Sequence, residues 1–309
     1  MSPSQKILIV GHRDVIPLSI LQSLKANGYR RVSFSAEIGL DVLSQSATQY
    51  FFDKERPDYV FLCSLRSGGI AANQKHGAEF IYENLHAQNN IIHHAYKFGV
   101  KKLMYIAGSC VYPKECPQPM KEQYLLTGPV EPTSEPYSVA KIAGVKLCQA
   151  YKRQYGFNAI VVVPATVYGP GSETDMETAH VMGALIGKFH EAVVQKKKEV
   201  EIWGSGRARR EFLYADDFTR AVMFLMDRYN GEEMINLGSG QDVSIKKLAA
   251  MIKKVSGFKG KIVFDRTKPD GAMKKLLDSR RILKMRWTPN IGLERGIKET
   301  WNWYLKQKR

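Results

Sequence analysis

The chain has 309 residues, which is enough to bury a large core as one α/β domain or as one domain with a smaller lobe. Its 44% hydrophobic and 25% charged residues are typical of a globular protein and exclude a disordered chain. No apolar run approaches the roughly 18 residues that a membrane-spanning helix requires.

The predicted elements alternate between buried apolar strands and helices. In chain order they are a strand at 6–10, a helix at 17–27, a strand in RRVSFSA, a helix at 43–55, a strand in DYVFLCS, a helix at 80–98, a strand in KKLMYIAGS, a helix at 136–155 and a strand in NAIVVVPATVYGP. This alternation predicts a doubly wound parallel sheet, a Rossmann domain, over residues 1–170.

The pattern becomes less regular after residue 170. A polar segment at 171–182 precedes a helix at about 180–194, and EVEIWGSG, MINLGSG and KIVFD are short strands among helices. Residues 171–309 are therefore predicted to form mainly a smaller α/β lobe that binds substrate, with some later segments returning to the first domain.

The formal net charge of +16 fits either a basic solvated surface or an anionic ligand or partner. The basic clusters at 196–198, 207–210 and 305–309 are short and scattered, so they favour a phosphate-bearing small molecule over nucleic acid. The four cysteines lie far apart without a CxxC pair, which argues against a metal site and a disulfide framework. With an N-terminus that lacks the apolar core of a signal peptide, this predicts a cytoplasmic protein without a membrane anchor.

The strongest chemical signal is YSVAK, which places Tyr137 and Lys141 four residues apart on one helix face. A lysine ammonium beside a phenol favours the phenolate, so this pair suits proton exchange near neutral pH.

Other motifs occur around this pair in a specific order: GHR at 11–13, SCVYP at 109–113, EPYSVAK at 135–141 and WGSGRARREF at 203–212. Together they resemble the extended short-chain dehydrogenase/reductase superfamily and, within it, the GDP-L-fucose synthase family. The resemblance implies a GDP-4-keto-6-deoxy-hexose substrate, epimerisation at C3 and C5, and reduction at C4. It also implies NADP(H) as the favoured cofactor, with NAD(H) as the alternative, and a homodimer packed through the helix that bears Tyr137.

The resemblance assigns catalytic roles by position. Tyr137 would donate a proton to the C4 oxygen, and Lys141 would lower the pKa of Tyr137 and bind the nicotinamide ribose. Cys110 and His180 correspond to the base and acid of epimerisation, because protons next to a ketone are acidic enough for a thiolate or imidazole to remove.

Further positions follow from the same alignment of motifs. The expected cofactor-binding residues are Gly11, Arg13, Asp14, Ile16, Glu37, Lys141 and His180. The expected substrate-binding residues are Lys188, Trp203, Arg210 and Lys268. Arg13 corresponds to a contact with the 2′-phosphate of NADP, whereas Glu37 after the second strand would favour the ribose hydroxyl of NAD.

The chain departs from the family at two places, both in the half that binds cofactor and reduces the ketone. The family's G-x-x-G-x-x-G loop is here Gly11, Asp14 and Pro17, which brings a side chain and a negative charge toward the pyrophosphate. The family's catalytic serine is replaced by Gly108, and Ser109 is expected to substitute only if the strand end twists.

These departures leave two alternatives open beside the epimerase/reductase. One is a GDP-sugar epimerase, for example of a keto-heptose, with weak or no reductase activity. The other is a non-catalytic paralogue that binds a nucleotide sugar.

Overall fold

A computed structural model of the protein describes residues 1–175 and 178–308. Over these residues the strands are β1 (Ile7–Val10), β2 (Val32–Phe34), β3 (Tyr59–Leu62), β4 (Lys102–Ile106), β5 (Ala159–Pro164), β6 (Thr166–Tyr168), β7 (Glu199–Trp203), β8 (Arg209–Tyr214), β9 (Ile235–Leu237), β10 (Asp242–Ser244), β11 (Lys261–Asp265) and β12 (Lys274–Lys275). The helices are α1 (Val15–Ala26), α2 (Ser35–Ile38), α3 (Gln45–Glu55), α4 (Ile70–Lys75), α5 (Gly77–Lys97), α6 (Glu135–Tyr155), α7 (Val181–Val194), α8 (Ala215–Arg228), α9 (Ile245–Ser256), α10 (Arg280–Lys284) and α11 (Leu293–Gln307).

Six parallel strands form the main sheet in the order β2-β1-β3-β4-β5-β9. The right-handed crossovers from β1 to β2 and from β2 to β3 run in opposite directions across the sheet. Helices α1 and α3, which lie in these two crossovers, are therefore on opposite faces of the sheet. Helix α1 packs beside α8, and α3 packs beside α5, which in turn packs along α6. The predicted doubly wound parallel sheet is confirmed, and the order of its strands reverses between β1 and β3.

Strand β9 is a later segment that returns to the main sheet. The sequence analysis groups MINLGSG with the short strands after residue 170 and expects some later segments to return to the first domain, and Ile235–Leu237 pairs with β5 at the edge of the main sheet. All three residues of β9 are buried, so its apolar side chains belong to the first hydrophobic core. Strand β9 lies in the main sheet because that position buries both of its faces, although the later elements are nearer to it in sequence.

The later segments form a second hydrophobic cluster, built mainly from α7, α9, α11 and the strands near them. Strand β8 pairs with β6, β10 and β12, while β7 and β11 form a separate parallel pair. The division of the chain near residue 170 stays a prediction.

Helix α6 carries the YSVAK motif, and its sequence explains both of its ends. Glu135 and Pro136 occupy the first turn, where an acidic side chain and a residue without an N–H are both tolerated. Gly156 ends the helix in the left-handed conformation with φ of 68°. Within the helix, a Cβ atom on Gly144 would lie 2.4 Å from the Tyr105 ring, so glycine is needed for α6 to approach β4. This close approach brings the start of α6 to the carboxyl ends of the strands.

Candidate active site

A cavity of about 470 Å³ opens at the carboxyl ends of β1 and β3, where the strand order reverses. Its lining comes from His12 and Asp14 after β1, residues 40–43 after α2, residues 65–68 after β3, and His180 before α7. Ligands of open α/β sheets bind at such a switch point. The cavity is therefore the candidate site for a dinucleotide.

Gly11 forms the turn between β1 and this cavity. Its φ of +156° is unfavourable for other residues, and a Cβ atom there would lie 3.0 Å from Cys63 Cβ and 3.3 Å from the Ser64 carbonyl oxygen. Pro17 is buried in the first turn of α1, with its Cγ 3.6 Å from that same point. The first glycine of the loop thus keeps its steric role, and Pro17 fills space that a glycine would leave open.

The Asp14 carboxylate caps α1. Its Oδ1 accepts a hydrogen bond from the Val15 N–H at 2.6 Å, and its Oδ2 accepts one from the Ser67 hydroxyl at 3.3 Å. The N-terminus of a helix is the position at which a dinucleotide fold receives a pyrophosphate. In this chain a side chain of the protein already provides the anion.

Arg13, which predicts NADP, and Glu37, which predicts NAD, lie side by side. Arg13 Nη2 is 3.8 Å from Glu37 Oε1, and both side chains are exposed. Glu37 therefore partly neutralises the guanidinium that would meet a 2′-phosphate. Ile16 lies in the first turn of α1, half-buried against the core.

Tyr137 and Lys141 occupy the first turns of α6, as the motif predicts. The Lys141 ammonium is buried, donates to the Ile106 carbonyl at 2.6 Å, and lies 4.4 Å from the centroid of the Tyr105 ring. Burial lowers the pKa of Lys141 to about 8. Burial also raises the pKa of the Tyr137 phenol, and a hydrogen bond to Ser64 acts in the opposite direction.

Ser64 was missed by the sequence analysis. Its hydroxyl lies 2.8 Å from the Tyr137 hydroxyl, across 73 residues of sequence. The sequence shows Ser64 only as the last residue of a strand-like run, so its contact with α6 depends on how β3 and α6 pack.

Cys110 lies in a single 3-10 turn, Ser109–Val111, directly after β4 and Gly108. Burial raises the pKa of the Cys110 thiol, and the ammonium groups of Lys275 and Lys141 oppose that rise. Lys275 belongs to β12 and was also missed, because nothing in KKLLD indicates that this lysine reaches a cysteine 165 positions earlier.

His180 immediately precedes α7 and faces the cavity. The surrounding protein lowers the pKa of its imidazole by desolvation, although the residue is exposed to solvent. Asp14 opposes this effect, whereas His12 and Lys275 add to it. Lys275 thus lowers the pKa of both Cys110 and His180.

Three of the predicted substrate-binding residues form a second group. The ammonium groups of Lys188 and Lys268 lie 5.9 Å and 5.4 Å from the centroid of the exposed Trp203 ring. Lys188 also donates to the Glu201 carbonyl at 2.9 Å. An aromatic ring beside two cations is suited to a base and its phosphates.

Arg210 directs its guanidinium to backbone rather than to open solvent. It donates to the carbonyls of Ala272 at 2.5 Å and Asp270 at 3.3 Å. Those residues precede β12, so Arg210 fastens the segment that carries Lys275.

The described residues, 1–175 and 178–308, show neither a candidate metal site nor a candidate membrane-spanning helix. No group of three or more His, Cys, Asp or Glu side chains there is arranged to hold a metal ion. Over the same residues, no helix has the length and apolar character required to cross a bilayer.

Comparison with known proteins agrees with this geometry. Residues 7–238 match the model of the NAD dependent epimerase/dehydratase family. GDP-L-fucose synthase 1 of Arabidopsis thaliana is 46% identical over 303 residues, covering 98% of this chain and 94% of the relative.

Two solved structures resemble the whole chain. A GDP-6-OMe-4-keto-L-xylo-heptose reductase from C. jejuni is 34% identical with a TM-score of 0.93, and the match covers 99% of both chains. A GDP-mannoheptose C4 reductase from Campylobacter jejuni, solved with NADP bound, is 36% identical with a TM-score of 0.88 over 99% of both chains. The chain therefore belongs to the NAD dependent epimerase/dehydratase family and is a homologue of the GDP-L-fucose synthases.

Proposed function

We propose that the protein converts a GDP-4-keto-6-deoxy-hexose to GDP-L-fucose or a close relative by epimerisation at C3 and C5 and NADP(H)-dependent reduction at C4. The observation that carries this proposal is that Tyr137, Lys141 and Cys110 lie at the carboxyl ends of β3 and β4, at the same edge of the main sheet as the cavity that His180 lines. The relatives named above supply the class of substrate.

Epimerisation requires one group to remove a proton from the carbon next to the ketone and another to return a proton on the opposite face. The C–H bond breaks to give an enolate, and a new C–H bond forms, so no electrons are transferred overall. A raised pKa keeps a proton on Cys110, and a lowered pKa keeps His180 neutral. At neutral pH Cys110 therefore carries a proton and His180 does not, so the thiol would have to lose its proton to act as the base and the imidazole would have to gain one to act as the acid.

This protonation state predicts the pH dependence of epimerisation. The rate of deuterium incorporation at C3 and C5 should fall as His180 is protonated below its ordinary pKa of 6.5 and as Cys110 ionises above its ordinary pKa of 9.0. We expect a broad plateau between these limits, measured by mass spectrometry of the sugar in deuterated buffer. The acidic limb of this profile should disappear in His180→Gln. An acidic limb centred above neutral pH would contradict this assignment.

A dinucleotide would be held by residues at this edge of the main sheet. Gly11 and the N-terminus of α1 would suit the pyrophosphate, Arg13 would suit a 2′-phosphate, and Lys141 and Tyr137 would hold the nicotinamide ribose. When bound, the nicotinamide supplies a hydride to C4. Tyr137 would donate its proton to the C4 oxygen, and the Asp14 carboxylate would have to leave the helix N-terminus for the pyrophosphate to bind there.

The sugar nucleotide is proposed to extend from Cys110 toward the group formed by Lys188, Trp203 and Lys268. The two ammonium groups would meet the diphosphate, and the Trp203 ring would stack on the base. Arg210 would act there by holding the segment before β12 in place.

The test is the reaction itself with purified protein, GDP-4-keto-6-deoxy-mannose and either NADPH or NADH. We expect NADPH oxidation coupled to formation of GDP-L-fucose, and loss of oxidation in Tyr137→Phe. A protein that binds GDP but oxidises neither cofactor would refute the reductase half.

Asp14 is expected to weaken cofactor binding and Gly108 is expected to weaken reduction, whereas the proposed epimerisation residues Cys110 and His180 are both present. Together these residues favour a second function. This is epimerisation of a GDP-keto-sugar, for example a keto-heptose, with weak or no reduction. Deuterium entering C3 and C5 without any NADPH oxidation would select it. Binding of GDP without exchange would instead indicate a non-catalytic paralogue.

We also propose a cytoplasmic homodimer. Helices α5 and α6 pack along each other and leave Tyr82 and Val139 on their outer surface, 58% and 42% exposed. Two apolar side chains on a helix pair suit a self-complementary interface.

Light scattering should give twice the chain mass for this homodimer. We expect the double substitution Tyr82→Glu and Val139→Glu to give a monomer. Tyr50→Glu, at a position on α3 that is 67% exposed, should leave the dimer intact. A monomer before substitution would contradict this interface.

A further inference from the structure

The reductase half of the site lacks one hydroxyl group. Gly108, where the family's catalytic serine is expected, provides no side chain, and it lies directly before the turn that carries Cys110. A proton donor such as Tyr137 needs a partner that holds its ring and stabilises the phenolate that forms when the proton leaves. The question is which group of this chain supplies that partner.

The hydroxyl of Ser64 lies in the required position. Its Oγ is 2.8 Å from the Tyr137 hydroxyl oxygen, a normal distance for a hydrogen bond between two hydroxyl groups. Ser64 comes from the carboxyl end of β3, whereas Gly108 follows β4. The two strands are neighbours in the sheet, so Ser64 and Gly108 follow adjacent strands at the edge where α6 begins.

The backbone around Ser64 fixes this hydroxyl in place. The Ser64 carbonyl accepts from the His12 N–H at 3.4 Å and packs against the turn at Gly11. On the other side, the Phe80 ring meets the Tyr137 ring edge-on, with the centroids 6.0 Å apart. Both partners of the hydrogen bond are therefore held by neighbouring elements.

We propose that Ser64 takes over the function of the missing serine by positioning Tyr137 and stabilising its phenolate. When Tyr137 gives its proton to the C4 oxygen, the Ser64 O–H donates to the new phenolate oxygen. Ser64 is thus a positioning residue that acts through Tyr137. The inference rests on the proposed function because Tyr137 is the proton donor of the reduction. Ser64 therefore has the role that the sequence analysis expects of Ser109.

The structure also provides a rescue experiment. Gly108 has an extended backbone with φ of −163°, and a Cβ atom there would meet only Cys110 Sγ, at 3.6 Å. A serine therefore fits at position 108 without backbone strain. If Ser64 substitutes for that hydroxyl, Gly108→Ser should restore what Ser64→Ala removes.

The kinetic test compares Ser64→Ala, Gly108→Ser and the double variant in the reductase assay. We expect Ser64→Ala to lower kcat about 10- to 100-fold, with little change in the Kd of NADPH, because a hydrogen bond to a charged group is lost. The double variant should recover most of that loss. Ser46→Ala, an exposed serine on α3, serves as the matched control. An unchanged kcat in Ser64→Ala, or no recovery in the double variant, would overturn the proposal.

A second measurement does not depend on reductase activity. Trifluorotyrosine placed at position 137 lowers the phenol pKa into a range that fluorine NMR can follow during a pH titration. Ser64→Ala should raise the pKa of this phenol, and Gly108→Ser should lower it again. If the unsubstituted protein oxidises no NADPH, the proposed function fails, while this titration still decides whether Ser64 stabilises the phenolate. An identical titration with and without Ser64→Ala would overturn the inference.

Discussion

Cys110→Ala is expected to reduce deuterium incorporation into the sugar by about 10³-fold, because a positioned acid or base contributes roughly 10²–10⁴ to such a step. In the proposed mechanism the Cys110 side chain is one of the two groups that move protons at C3 and C5. Exchange at C3 and C5 is measured by mass spectrometry after incubation in deuterated buffer. NADPH affinity should not change, since the proposed mechanism gives Cys110 no contact with the cofactor.

Cys116→Ala is the matched control for this prediction. Cys116 is also a half-buried free thiol, and burial raises its pKa as well. It is expected to keep full exchange activity, because the proposed mechanism gives it no contact with the sugar. Normal exchange in Cys110→Ala would show that another group moves the proton. Lys275, the cation that acts on both members of the pair, would then be the first residue to test.

Asp14→Gly is expected to tighten NADPH binding about 10- to 100-fold. The substitution removes a carboxylate from the place where two phosphate charges must enter, and it frees the Val15 N–H to bind an anion. Calorimetry on the purified protein measures the change directly, without turnover. The free energy of unfolding should fall by only roughly a few tenths of a kcal/mol, because glycine is tolerated at a helix N-cap.

Asp14→Asn separates charge from space in this second prediction. The asparagine side chain keeps an oxygen that can accept from the Val15 N–H, but it carries no charge. If repulsion is the main cost of binding, Asp14→Asn should show most of the gain seen in Asp14→Gly. If only Asp14→Gly binds more tightly, the bulk of the side chain is the obstacle. Unchanged affinity in both variants would mean that the cofactor does not approach the N-terminus of α1.

The sequence alone predicted the residues whose roles depend on local spacing. Tyr137 and Lys141 share a helix face because they are four positions apart, and the ends of α6 follow from Pro136 and Gly156. Gly11 was predicted from the strand and turn around it, and its φ of +156° explains why glycine is needed there. The alternation of buried strands and helices likewise predicted the parallel sheet.

Contacts between distant segments were decided only by the tertiary structure. Ser64 reaches Tyr137, Ser67 reaches Asp14, and Lys275 influences Cys110, because separate strands end at the same edge of the sheet or close over it. Strand β9 joins the main sheet through a contact of the same kind, since it pairs with β5 and is buried there. Local propensity and periodicity carry no information about which segments meet. The sequence therefore determined which chemical groups this protein has, whereas packing decided which hydroxyl and which ammonium group each of them contacts.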